Sequence, residues 1–245
     1  MEAISIKGLL HQYKGVNTPA VNQLDLMIPK GAFYGLLGPN GAGKTTAISI
    51  ISGILKPNSG SVQVLGKDWN SDAKSIKQSI GLVPQEIALY DTMTATENLK
   101  FFGTMLGLDS KSIRTKTDEL MKEFGLSEHK NKLLENYSGG MKRRVNLMVA
   151  LMHDPEILIL DEPTVGIDVH SRHMINTYLK GLNEKGMTIL YTSHQLDETE
   201  QLCDHVCIMD HGQLLVEGKT SELVSDGHSL HHHFIELTGK QLRDG

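Results

Sequence analysis

Residues 38–45 read Gly-Pro-Asn-Gly-Ala-Gly-Lys-Thr and match the pattern G-x-x-x-x-G-K-[ST] at every defined position. Glycines at this spacing let successive backbone N–H groups turn inward around a phosphate, and the helix that follows presents its positive N-terminal end to the same anion. In this reading Gly38, Pro39, Asn40, Gly41, Ala42 and Gly43 form the cradle. Lys44 reaches the β- and γ-phosphates, Thr45 ligates Mg²⁺ through its hydroxyl, and Thr46 lies beside it among the binding positions. The apolar run Phe33–Leu37 precedes the loop as a strand, and a helix is expected over Thr45–Leu55, which is the context the pattern requires.

Working outward, Ile157-Leu158-Ile159-Leu160-Asp161-Glu162 is an apolar strand that ends in two carboxylates. It places Asp161 at the C-terminal edge of a sheet, where α/β proteins bind ligands. Asp161 would hold Mg²⁺ and Glu162 could take a proton from an attacking water. Further strands are expected over Ala32–Leu37, Val62–Leu65, Ile80–Val83, Thr188–Thr192 and Val206–Met209, with helices over Arg172–Glu184 and Gln195–Leu202. Several of these runs are continuously apolar, as strands covered on both faces are. Strand–helix alternation of this kind predicts an α/β fold with a largely parallel sheet. Between Gln85 and Asp154 the strand signal disappears. Leu120, Met121 and Phe124 fall together in one helix there, and Val145, Met148, Val149 and Met152 in another.

The bulk composition narrows the function classes. The chain has 245 residues and a formal net charge of −5, so it lacks the general basic field that holds a nucleic-acid backbone. Its two cysteines, Cys203 and Cys207, make no disulfide framework and suit a reducing compartment. The first fifteen residues carry no long apolar core of a signal peptide, and no run approaches the roughly 20 apolar residues that span a bilayer. The expectation is a chain that meets a membrane only through a partner.

A phosphate loop with a carboxylate-ended strand still fits a kinase, a GTPase or many ATPases. Tyr137-Ser138-Gly139-Gly140-Met141, shortly before the second strand motif, separates them, because it resembles the signature of the ATP-binding-cassette (ABC) family, usually Leu-Ser-Gly-Gly-Gln. Ser138 can cap the helix that follows, and the two glycines expose its amides. The remaining family elements stand in the expected order. Gln85 resembles the glutamine that senses Mg²⁺ and the lytic water. Asp168, in Val165-Gly166-Ile167-Asp168, resembles the loop that crosses the dimer interface. His194 resembles the histidine that contacts the γ-phosphate, and Tyr13 stands where the family places an aromatic that stacks on adenine. A lone His or Tyr is more often structural, and it is order and spacing that lift these two.

The resemblance runs from about residue 4 to 220 and implies a P-loop NTPase of the ABC type. That fold has a mostly parallel sheet core, an inserted helical lobe and an N-terminal antiparallel β region. The expected organisation is one domain over 1–245, with a core lobe at about 1–85 and 155–220, a helical lobe at about 86–154, and a short extension at about 221–245. The phrases GGMKRRV (139–145), EPTVGIDVHSR (162–172) and FIELTGKQLRD (234–244) are similar to the drug- and polysaccharide-export subgroup.

By that resemblance the chain binds and hydrolyses ATP with Mg²⁺, using Glu162, His194, Gln85 and Lys44 in the chemistry, with Thr45, Gln85 and Asp161 at the metal. Its partners would be a second ABC subunit, identical or not, and an integral membrane permease, which hold it on the cytoplasmic face of the cell membrane. No nucleic-acid partner is expected. The competing reading is a non-transport ABC ATPase acting on a ribosome or on DNA. A GTPase would want Asn-Lys-x-Asp, and Asn131-Lys132-Leu133-Leu134 lacks the Asp. Lys142, Arg143 and Arg144 are read as a solvated helix face. Asp197, Glu198 and Glu200 are read as favourable charge early in a helix. Cys203, His205 and Cys207, and the tail histidines His228, His231, His232 and His233, are given no function.

Overall fold

The computed structural model describes residues 1–224 and 229–239. In chain order the strands and helices are β1 (Glu2–His11), β2 (Val21–Pro29), β3 (Phe33–Leu37), α1 (Lys44–Ile51), β4 (Ser59–Val64), β5 (Lys67–Asp68), α2 (Trp69–Ser79) and β6 (Ile80–Val83). There follow α3 (Ala95–Met105), α4 (Ser110–Glu123), α5 (Gly139–Leu151), β7 (Ile157–Asp161) and α6 (Val169–Glu184). The chain continues through β8 (Thr188–Ser193), α7 (Leu196–Leu202), β9 (His205–Asp210), β10 (Gln213–Lys219), α8 (Thr220–Leu223) and α9 (Leu230–Thr238). His228 and residues 240–244 of the tail phrase lie outside the described residues.

The continuously apolar runs become the centre of one sheet. Its strand order is β10-β9-β3-β8-β7-β6, and β9, β3, β8, β7 and β6 run parallel. Every residue of β3, β7 and β8 is buried, because both faces of the sheet are covered. On one face lie α1 and a second, antiparallel sheet of order β2-β1-β4-β5, whose Ile4, Leu26 and Val64 pack with Ile48, Ile159 and Leu190. On the other face lie the helices α3 to α7 and α9. Leu99, Leu120, Met148, Ile175 and Phe234 share a core there with Leu158 and Tyr191. Burying each such side chain contributes roughly 1.5–3 kcal/mol.

Two features depart from the sequence reading. The run at Val62–Leu65 lies in the antiparallel sheet, as part of β4, where only Val62 and Val64 are buried. Alternation with a single covered face marks a half-buried strand, and Leu65 leaves it at φ +51°. The edge strand β10, antiparallel to β9, carries only the short apolar run Leu214-Leu215-Val216, and it alternates half-buried with exposed residues.

Between β6 and β7 the chain forms helices, and among the described residues its sole strand-like contact is an isolated bridge between Thr94 and Leu133. The ends of these helices are set by local chemistry. Thr94 and Glu97 form a reciprocal capping box on α3, Asp109 accepts from two amides of α4, and Ser138 caps α5. Leu120, Met121 and Phe124 do fall on the buried face of the α4 region, as do Val145, Met148 and Met152 along α5. No helix among the described residues is long and apolar enough to cross a membrane.

Candidate nucleotide site

The central strand β3 delivers the 38–45 loop to the C-terminal edge of the parallel sheet, and α1 leaves from it. Gly43 is the N-cap of α1 at φ +102°, ψ +3°, and a Cβ there would stand 2.2 Å from the carbonyl oxygen of Ala20. Both the backbone conformation and the space therefore demand glycine at this point. Lys44 is 6% exposed and folds over the loop, its Nζ donating to the carbonyls of Gly38 (2.7 Å) and Pro39 (3.2 Å). Burial lowers the Lys44 pKa from its usual value, while the charges of Glu162 and Asp161 act to raise it. The ammonium thus has two carboxylates across from it and main-chain oxygens beneath it. Thr45 is exposed on the first turn of α1, and Thr46 is buried and within 3.2 Å of the Tyr13 hydroxyl. That contact holds Tyr13, 45% exposed, against the loop from the end of the antiparallel sheet.

The carboxylates come from the end of β7, two strands from β3 with β8 between them. Thr192 of β8, in register with Asp161, organises both acids. Its hydroxyl donates to Asp161 Oδ1 at 2.7 Å and accepts from the Glu162 amide at 3.0 Å. Glu162 stands at φ +48°, a left-handed conformation uncommon for a residue with a side chain and characteristic of functional turns. Its Oε2 receives Nε2 of Gln85 at 3.1 Å and lies 3.5 Å from Nδ1 of His194. Strands β6, β7 and β8 each end at this point, so three residues distant in sequence meet on one oxygen.

A second group of residues lies around the start of α5. Ser138 caps α5 through Met141 N (3.2 Å), and Ser138 and Gly139 are exposed. Gly140 is buried against the start of α6, where an added Cβ would meet Ser171 Oγ at 2.2 Å. Asp168 caps α6, accepting from the Ser171 amide (2.9 Å) and hydroxyl (2.8 Å). Those bonds hold the Asp168 carboxyl below the usual carboxylate range. The structure therefore gathers the predicted residues into two groups. One holds Lys44, Gln85, Asp161, Glu162 and His194; the other holds Ser138, Gly139, Gly140 and Asp168.

The donor set suits a nucleotide bearing Mg²⁺. Thr45 offers a free hydroxyl and Asp161 a carboxylate. Gln85, with its amide nitrogen engaged by Glu162, has its carbonyl oxygen left over. Among the described residues no group of three or more His, Cys, Asp or Glu side chains could hold a metal by itself. Such a set matches an ion that keeps its waters and binds mainly through substrate phosphates.

Some residues depart from the sequence reading. The cations after the signature are not a solvated face. Arg143 is buried and bonded to the loops beside Glu162, Arg144 donates to the carbonyl of Phe124 at 2.8 Å, and Lys142 pairs with Asp91 at 2.7 Å. In the acidic run Glu198 is also buried, accepting from Thr164 and Asn176 (2.9 and 2.5 Å), and so ties α7 to α6 and to the turn after Glu162. Tyr137 is a core anchor whose hydroxyl donates to the carbonyl of His129 at 2.7 Å. Cys203 and Cys207 are buried, and burial raises both thiol pKa values. In sequence Thr192 falls at the end of an expected strand with no role in the site, although it stands two residues before His194 in a strand that pairs with the Asp161 strand.

A glycine-capped phosphate loop beside a strand-end Asp-Glu pair defines a P-loop nucleotide-binding protein. The ABC transporter family model matches residues 21–165, and this chain belongs to that family. Over 205 residues it is 49% identical to the linearmycin resistance ATP-binding protein of Bacillus subtilis (strain 168), which covers 84% of this chain and 66% of that protein. It is 40% identical over 223 residues to the daunorubicin/doxorubicin resistance ATP-binding protein of Streptomyces peucetius, covering 91% and 67%. The chain thus spans about two thirds of the length of these relatives. Among solved structures, an ATP-binding subunit of an ABC transporter superposes with a TM-score of 0.86 at 26% identity, covering 96% of this chain and 99% of that one. A dimeric ATP-binding cassette in a post-hydrolysis state with ADP and Pi superposes at 0.81 with 27% identity, covering 89% and 98%.

Proposed function

We propose that this chain binds and hydrolyses ATP as the motor subunit of an ABC transporter, energising export through a separate membrane permease. The observation that carries the reading is the meeting of Gln85 and His194 on Glu162 Oε2, opposite Lys44. Two relatives that bear resistance names, and others named for Nod factor export, support the direction of transport and favour it over action on a ribosome or DNA. One ABC domain with a core lobe and a helical lobe inserted between β6 and β7 accounts for the arrangement.

In this mechanism the cradle Gly38–Gly43 and Lys44 bind the phosphates, with Thr46 beside them, and Tyr13 stacks on the adenine. Thr45, Asp161 and the Gln85 carbonyl would hold Mg²⁺, which would supply charge neutralisation at the phosphates. Glu162 takes the proton of the attacking water, which Gln85 and His194 orient. Two copies, or this chain and a close relative, close head to tail. Each ATP then lies between Lys44 of one subunit and Ser138, Gly139 and Gly140 of the other, with Asp168 at the crossing. Contacts to the γ-phosphate favour the closed state and are lost on hydrolysis. The chain sits on the cytoplasmic face of the membrane through its permease.

The test is isolation of the tagged chain from its native membranes in gentle detergent, with mass spectrometry and ATP turnover measured on the isolate. A stoichiometric protein with several membrane spans is the expected companion. Recovery of ribosomal or other soluble partners alone, with turnover intact, would overturn the transport role and leave the ATPase standing.

A further inference from the structure

Arg143 is the second of three consecutive cations on α5, and each goes to a different place. Lys142 pairs with Asp91, and Arg144 holds the carbonyls of Phe124 and Gly140. Arg143 crosses between loops instead. Its Nη1 donates to the carbonyl of Gln85 at 2.6 Å, with Pro84 at 3.4 Å, and its Nη2 reaches the carbonyl of Val165 at 3.5 Å. Val165 closes the turn that Glu162 opens, its amide donating to the Glu162 carbonyl at 3.3 Å. One guanidinium therefore joins the helix that starts at Ser138 to the two loops that carry Gln85 and Glu162.

The chemistry is unusual for a side chain of this kind. Arg143 is 6% exposed, its bonds all run to main-chain carbonyls, and its Nε has no partner. Burial lowers the pKa of its guanidinium. A methionine could fill much of that volume without the desolvation penalty, so packing gives no reason for an arginine here. What the planar fork supplies is directional donors aimed at two separate strands of backbone. The Gln85 carbonyl that it holds belongs to the residue whose side chain meets Glu162 Oε2.

We propose that Arg143 is a positioning residue that couples the signature helix to the hydrolytic centre. It fixes the Gln85 backbone and the turn after Glu162 to α5, so that movement of the Ser138 end of the helix is felt at the Gln85–Glu162 contact. The idea rests on the hydrolytic role proposed above for Gln85 and Glu162.

Two measurements on the full chain test it, with Arg143→Met and Arg143→Lys beside a substitution of exposed Lys180 on α6, Lys180→Met, as a surface control. The first is amide hydrogen exchange without nucleotide. Arg143→Met is expected to speed exchange in segments 85–90 and 163–168, and Lys180→Met is not. Unchanged exchange in those segments overturns the clamp, whatever the protein hydrolyses. The second is steady-state turnover. Loss of charge-assisted bonds lowers kcat for Arg143→Met by about 10-fold or more, with ATP affinity within about 3-fold. Arg143→Lys recovers part of it. In a Gln85→Ala background Arg143→Met adds little further loss, because both act through one contact. Full additivity of the two losses overturns the coupling. A wild-type chain that hydrolyses no ATP sinks the hydrolytic reading, while the exchange result still decides the clamp. Should Arg143→Met fail to fold, Arg143→Lys carries both measurements, since it keeps the charge and loses the fork.

Discussion

Gln85 Nε2 donates to Glu162 Oε2 at 3.1 Å across 77 residues of sequence. The two residues leave neighbouring parallel strands, β6 and β7, so the contact is fixed by the register that pairs Val83 with Leu160. His194 approaches the same oxygen from the end of β8. A carboxylate that already accepts from an amide, beside an imidazole, is oriented before any substrate arrives. Such preorganisation is what a general base needs, since geometry precedes basicity in deciding which group can take a proton.

Replacing Glu162 by Gln keeps the shape of the side chain and removes its capacity to accept a proton. ATP affinity is expected to stay within about 3-fold of wild type, while turnover falls by roughly 10²–10⁴. Equilibrium binding of a fluorescent ATP analogue and a phosphate-release assay measure the two quantities. Undiminished turnover removes Glu162 from the chemistry.

Lys44 carries a different burden. Its ammonium is buried among main-chain oxygens and faces the charges of Asp161 and Glu162. Lys44→Ala leaves the glycine-shaped cradle in place but removes the ammonium that folds over it. The loss of a charge-assisted contact to phosphate is expected to weaken ATP binding by roughly 10–150-fold. The apo protein is expected to keep its circular dichroism spectrum. Tight ATP binding by this variant would contradict the phosphate assignment.

Thr192 is a third point of leverage, because a single buried hydroxyl serves Asp161 and the Glu162 amide together. Thr192→Val preserves the volume and leaves buried Asp161 Oδ1 without its donor, while the Glu162 amide keeps the Thr192 carbonyl at 3.2 Å. Leaving buried polar groups unpaired costs about 1–3 kcal/mol. Chemical denaturation is expected to show a loss in that range, and turnover is expected to fall with it. A variant as stable and as active as wild type would show that Asp161 is held in place without the Thr192 hydroxyl.

How much of this was legible before the structure depends on whether the signal was local. The phosphate loop, β7 and the cap at Ser138 are written in contiguous residues, and each forms where its spacing places it. The N-terminal sheet was legible only through family resemblance. The hidden features are those in which one side chain serves a distant loop. Thr192, Glu198 and Arg143 read as strand filler, helix-end charge and solvated surface, and each is a buried bridge between elements. Periodicity reports which face of an element is covered. It carries no information on which carbonyl or hydroxyl stands across from a polar residue, so a charge in a run of charges hides its one buried member.

Asp168 gives a test that titration can read. Its carboxylate accepts from both the amide and the hydroxyl of Ser171, and these bonds hold its pKa below the usual carboxylate value. The sign follows from linkage. A group whose folded pKa is depressed contributes stability that is present above its unfolded pKa, about 3.9 for Asp, and that is lost as pH falls through the lower folded value. Asp168→Ala is therefore expected to melt below wild type at neutral pH, and the gap should narrow once the pH drops under about 4. Asp168→Asn can still cap α6 through a neutral oxygen, so its offset from Asp168→Ala should be flat across the same range. Melting temperatures of the three proteins from pH 7 to pH 3 make the comparison. A gap between wild type and Asp168→Ala that stays constant down to pH 3 would mean that the cap works without its charge. The approach of Gly140 to this helix end would then rest on shape alone.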